Sequence, residues 1–127
     1  MARICVIEDD PLQALNLEEI FISRGHSVCG ISASGAQAIL CAQASRPDIV
    51  VTDVNIAGRL NGVDTAERIV ATQQCGVVFV TACSDGKTIA RMGALKPEAI
   101  LSKPSTSQAI IRAVEQAFER LTRTGDR

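Results

Sequence analysis

Short apolar runs alternate with longer stretches of helical periodicity along the whole chain. Five runs rich in aliphatic and β-branched residues read as strands: Arg3–Ile7, Ser27–Ile31, Ile49–Thr52, Val77–Thr81 and Ala99–Leu101. Each is followed by a helical pattern. The last is the clearest, with Ile110, Ile111, Val114, Ala117, Phe118 and Leu121 on one stripe, and Val63, Ala66, Ile69 and Val70 form a similar one. Helix starts are marked by Asp10 before Pro11, and by Ser34 with Gln37 and Ser105 with Gln108 at capping-box spacing. The stretch from Ser84 to Ala94 is only weakly patterned as the fourth helix. Five repeated βα units predict an α/β fold, a parallel sheet with right-handed crossovers that put helices on both faces. Near-continuous apolar runs in the third and fourth strands fit a sheet covered on both sides.

Length adds that this is one domain. The 127 residues suffice for a single core, with residues 1–123 as the domain and 124–127 as a short polar tail. Aromatic residues make up 2% of the chain, three Phe and neither Trp nor Tyr, so Val, Ile, Leu and Ala must build the core. A net charge of -1, no basic block and few stacking rings argue against nucleic-acid binding. No apolar run reaches the length of a membrane span and no export signal opens the chain, which predicts a cytoplasmic protein without a membrane partner. Cys5, Cys29, Cys41, Cys75 and Cys83 are odd in number and form no CxxC pair, so free thiols are expected.

The chemistry gathers where strands end. The first strand runs into Glu8 and Asp9, the third into Asp53 and the fourth ends on Thr81, while Lys103 follows the fifth. Ligands of open parallel sheets bind beyond the carboxyl ends of the strands, so these groups would converge if those strands are neighbours. Three crowded carboxylates repel one another unless a cation neutralises them. A hard divalent ion such as Mg²⁺, or Mn²⁺, suits such oxygen donors and commonly recruits phosphate oxygens as well. A carboxylate can act as nucleophile toward phosphorus, and Asp53 is the central one.

VIEDDP, VVTDVNIAG, VTACSD and LSKP, in that order and spacing over nearly the whole chain, resemble the CheY-like receiver domains of bacterial two-component response regulators. The resemblance implies a flavodoxin-like (βα)5 fold with strand order 2-1-3-4-5, and a single-domain regulator that lacks an output domain. It makes Glu8 and Asp9 the acidic metal pair, Asp53 the phospho-acceptor and Asn55 the donor of a backbone carbonyl to the metal. Thr81 and Lys103 would contact the phosphoryl group, Asn55 and Cys83 would tune dephosphorylation, and the small Ala82 would leave the pocket open. A histidine kinase or phosphotransfer protein would supply the phosphoryl group, and a downstream protein would dock to the modified form. The domain would catalyse only its own phosphorylation and dephosphorylation, and a cis peptide is implied before Pro104.

Three features depart from the family pattern. Ala57 stands where a proline is common, the AGRLNG stretch is one residue longer than usual, and Ile100 replaces the aromatic half of the Thr81 switch. Phosphorylation is therefore expected to be intact and its propagation to the α4–β5–α5 face altered. A receiver-shaped module that binds its partner regardless of phosphorylation is the competing reading. A haloacid-dehalogenase-type phosphatase is disfavoured by Asn55, which stands where that class needs a second acid. Other polar residues have plainer roles: Asp10 as a helix cap, His26 as a structural residue, Cys83 as an inert thiol, and Arg112, Arg120 and Arg123 as a solvated face.

Overall fold

The computed structural model describes residues 1–123, and the tail at 124–127 lies outside them. Five strands, β1 (Arg3–Ile7), β2 (Ser27–Ser32), β3 (Ile49–Thr52), β4 (Gly76–Thr81) and β5 (Ala99–Ser102), alternate with five helices. The helices are α1 (Pro11–Ser23), α2 (Gly35–Ser45), α3 (Gly62–Thr72), α4 (Gly86–Ala94) and α5 (Ser107–Arg123). All strand pairs are parallel and the order is β2-β1-β3-β4-β5, as the resemblance implies.

Alternation along the strands sorts the core onto two sides of the sheet. Ile4, Val6, Val51, Val78 and Val80 face α1 and α5, where they meet Leu17, Phe21, Ile110, Val114 and Ala117. Cys5, Ile7 and Val50 face α2, and Val77 and Phe79 pack against Val63, Ala66 and Met92 from α3 and α4. Phe21 and Phe79 are fully buried, each contributing about 1.5–3 kcal/mol. Of the α5 stripe, Ile110, Val114 and Ala117 are buried and Phe118 and Leu121 pack at the margin, whereas Ile111 lies outside this core and Ala113 is buried beside the stripe.

Caps fix where the helices begin, each stabilising by about 1 kcal/mol. Asp10 accepts from the Leu12 amide, Ser34 from Gln37, and Asn61 shares a reciprocal capping box with Asp64. The final helix starts later than the Ser105–Gln108 spacing predicts. Ser105 Oγ instead donates to the Ser102 carbonyl, and Thr106 Oγ1 accepts from the Ala109 amide. The weakly patterned stretch does form α4, capped by Asp85 and anchored by buried Met92, while Arg91 joins it to Asp64 and Glu67 of α3.

His26 is buried and structural. Its Nδ1 accepts from the Ala2 amide at 3.1 Å, which leaves Nε2 to donate to Glu115 at 2.9 Å and ties the residue before β2 to α5. All five cysteines are free, and Cys5, Cys29 and Cys41 meet beneath α2, with the Cys5 sulfur 3.6 Å from Cys29 and 3.8 Å from Cys41. Burial, first of all, raises the Cys5 thiol pKa, which keeps it protonated. No helix among the described residues is long and apolar enough to cross a membrane.

Candidate functional site

The carboxyl ends of β1, β3 and β5 bring two carboxylates together around one ammonium. Lys103 Nζ donates to Asp53 Oδ2 at 2.8 Å, to Glu8 Oε1 at 3.3 Å and to Gln13 Oε1 at 2.6 Å. An ammonium has three protons, so this set engages all of its donors. Main-chain bonds bring the bases of these side chains into place: the Asp53 amide donates to the Ile7 carbonyl, and the Lys103 amide to the Thr81 carbonyl. The Lys103–Pro104 peptide is cis.

Asp53 is oriented from behind. Its Oδ1 accepts from the Val54 amide at 2.6 Å and more distantly from Asn55 at 3.4 Å, which turns Oδ2 toward Lys103. Glu8 is almost wholly buried, with 5% of its surface exposed, and its Oε2 accepts from the Asp10 amide at 3.1 Å. Burial is the main force on Glu8 and raises its pKa, more than the Asp10 amide and Lys103 lower it. Burial acts in the opposite sense on Lys103, but the bond and charge of Asp53, joined by Glu8, outweigh it and raise its pKa.

The other residues singled out in the sequence stand around this cluster. Thr81 is buried at the end of β4, and its hydroxyl accepts from the Cys83 amide. Asp9, Asn55 and Ala82 are exposed and make no contact with the ammonium, and Cys83 packs partly against the core below α4. Ile100 lies on the edge strand, paired in register with Phe79 and 42% exposed. In the loop after Asp53, Ala57 donates its amide to the Ala33 carbonyl at 3.2 Å, a bond that the more usual proline could not make. Gly58 beside it has φ 91°.

Gln13 is the member of this cluster that the sequence reading does not single out. It sits three residues past Asp10 on the first turn of α1, where its Nε2 donates to Asp10 Oδ2. That three-residue offset is the only local signal, since its contact with Lys103 spans 90 residues. A cleft of about 380 Å³ opens beside these groups, between α1 and the segment from Lys103 to Ile110, walled by Asn16, Leu17 and Val80.

Among the described residues no three acidic, histidine or cysteine side chains converge closely enough to hold a cation unaided. The donor set nonetheless fits Mg²⁺, which needs only one or two carboxylates and keeps much of its water. Two carboxylates, Glu8 and Asp53, share one ammonium here, which leaves an acidic excess of the kind a divalent ion would offset.

Comparisons with known proteins bear on the family and the fold. The sequence profile of the response regulator receiver domain matches residues 4–115. The chain is 30% identical over 118 residues to the transcriptional regulatory protein PdtaR of Mycobacterium tuberculosis, covering 93% of this chain and 57% of that protein. It is 26% identical to the phyllosphere-induced regulator PhyR of Methylorubrum extorquens, covering 91% of this chain and 43% of the relative. The chain thus spans about half the length of these relatives. Among solved structures, the signal receiver domain of a modulated diguanylate cyclase from Desulfovibrio desulfuricans superposes with a TM-score of 0.89 at 32% identity, covering 94% of this chain and 95% of that one. The receiver domain of Erythrobacter litoralis PhyR gives 0.81 at 27% identity, over 91% and 88% of the two chains. With its profile match, its sheet order and its acid–lysine cluster at the strand ends, the chain belongs to the response regulator receiver domain family.

Proposed function

We propose that this receiver accepts a phosphoryl group on Asp53 from the phosphohistidine of a histidine kinase or phosphotransfer protein, and signals by docking to a protein partner once modified. The observation that carries the reading is the position of Asp53 Oδ2, 2.8 Å from Lys103 Nζ at the mouth of a cleft. An Asp53 oxygen attacks phosphorus as the bond from phosphorus to the donor's imidazole nitrogen breaks, and the departing electron pair returns to the ring. Lys103 moves with the developing charge from the carboxylate to the phosphoryl oxygens. Thr81, two residues after Phe79 on β4, is the hydroxyl assigned to one of those oxygens. Glu8, Asp9, Asp53 and the Asn55 carbonyl are the groups assigned to Mg²⁺, which when bound offsets negative charge on the acids and the incoming phosphoryl group.

Relatives supply the kind of partner. A structure of PhyR from Bartonella quintana, 24% identical to this chain, is described as an anti-anti-sigma factor. That description belongs to the relative, and a protein partner of regulatory type is what we carry over. The free thiols support a reducing, cytoplasmic setting.

Intact-mass analysis after incubation with acetyl phosphate or phosphoramidate, with and without Mg²⁺, tests the reading on the wild type and on Asp53→Asn. One Mg²⁺-dependent phosphoryl adduct, lost in the variant, is expected. No adduct under conditions that modify another receiver would overturn the reading in favour of a module that binds regardless of phosphorylation.

A further inference from the structure

We propose that Gln13 is a positioning residue for phosphoryl acceptance, holding the Lys103 ammonium against Asp53 through a hydrogen-bond chain that begins at the cap of α1. The inference rests on the proposed acceptor role of Asp53 and names a residue outside the acid, Thr and Lys set.

The geometry follows from an altered helix cap. Asp10 caps α1 with Pro11 and Leu12 next, so Gln13 occupies the third helical position. In a capping box the side chain at that position reaches back to the amide of the cap residue. Here the Asp10 amide is already taken by Glu8 Oε2 at 3.1 Å. Gln13 is thereby released from the box. Its Nε2 donates to Asp10 Oδ2 at 3.2 Å, while Asp10 Oδ1 keeps the Leu12 amide at 3.0 Å. A carboxylate can only accept and an ammonium can only donate, so these two partners fix which end of the Gln13 amide is which. Its oxygen must face Lys103, and it makes the shortest of the three contacts there, at 2.6 Å.

The choice of an amide matters chemically. Glu8 and Asp53 already present two carboxylates to one ammonium, and a third would compete with Asp53 for the same proton donors. A neutral acceptor fills the third donor without adding charge. Lys103 is then held by contacts from α1, β1 and β3, and the first turn of α1 is linked to the acceptor carboxylate through two side chains.

Three variants and two readouts test this. Gln13→Ala removes the neutral acceptor, Gln13→Glu replaces it with a charged one, and Asp10→Ser keeps a helix cap while losing the reach to Gln13. The first readout is the rate of Asp53 modification by phosphoramidate with Mg²⁺, followed by intact mass. The second is the proton–nitrogen signal of the Lys103 ammonium in the unmodified domain, which a purely structural role for Gln13 would not move. Gln13→Ala is expected to slow modification about fivefold, the scale of one ordinary net hydrogen bond, and to broaden or shift the ammonium signal. Gln13→Glu is expected to keep the ammonium ordered yet slow modification as well, and Asp10→Ser to act like Gln13→Ala but more weakly. An unchanged rate in Gln13→Ala, with wild type modified normally, overturns the inference and leaves the acceptor role of Asp53 standing. If the wild type takes no phosphoryl group, the acceptor role fails. The ammonium signal then decides, and an unchanged signal in Gln13→Ala overturns the positioning role too.

Discussion

Gly62 is pressed against the main chain of Asp53, so that a Cβ at position 62 would lie 1.8 Å from the Asp53 carbonyl oxygen. The Gly62 amide meanwhile donates to the Val54 carbonyl at 2.7 Å, and Thr52 Oγ1 donates to that same Asp53 oxygen. The start of α3 is thus seated directly behind the acceptor, with no room for a side chain. Gly62→Ala is expected to cost about 1–3 kcal/mol in urea unfolding, as overpacking at backbone does, and to slow Asp53 modification because the loop must retreat. Unchanged stability and rate would mean that the loop moves aside freely.

Lys103 is the only cation bonded to Glu8 and Asp53 among the described ion pairs, so its removal separates two roles. Lys103→Met leaves both carboxylates uncompensated, which favours a divalent ion and disfavours an incoming phosphoryl group. Mg²⁺ is expected to bind more tightly by calorimetric titration, while modification of Asp53 falls by about a hundredfold or more. Weaker Mg²⁺ binding in the variant would show that the lysine organises the metal site instead of competing with it.

Much of this was legible in sequence because it is local. Strand positions follow from β-branched runs, and the structure moves their ends by one residue: β4 gains Gly76, whose amide donates to the Asp48 carbonyl, and β2 and β5 gain Ser32 and Ser102. The start of α5 differs from the Ser105–Gln108 spacing because Ser105 Oγ is taken by the Ser102 carbonyl, which leaves Thr106, also a cap-forming residue, to accept from the Ala109 amide. Asp53 and Lys103 stand out as polar groups after apolar runs. Gln13, Gly62 and the three touching thiols carry no such mark, since their partners lie on other elements and their roles exist only once the sheet brings those elements together.

Glu8 gives a pH dependence with a definite sign. Burial raises its pKa in the folded domain, so its contribution is fully present below the unfolded carboxylate value and is lost as pH rises through the folded one. Glu8→Gln removes that loss. Without divalent ions, the variant is expected to gain stability relative to wild type as pH rises from about 4 toward neutral, and added Mg²⁺ should narrow the difference by stabilising the wild type more than the variant. A difference that stays flat across this range in urea titrations would show that Glu8 is not held in a desolvated state.

Ile100 sits opposite Phe79 in register, and Thr81, two residues beyond Phe79, lies on the same face of the sheet. An aromatic ring on β5 could reach along this face toward Thr81, whereas the shorter Ile100 side chain stays at the edge, 42% exposed. A beryllofluoride phosphate mimic on the Mg²⁺-bound domain is therefore expected to shift the amides of Thr81 and Lys103 in the wild type. It should shift those of α4 and α5 less than in Ile100→Tyr. The substitution itself should alter stability by no more than about 0.5 kcal/mol, since the position is exposed. Identical shift patterns in the two proteins would mean that the signal crosses to the α4–β5–α5 face by packing, through Met92 and Leu95 against Phe79, and that an aromatic at this position is not what carries it.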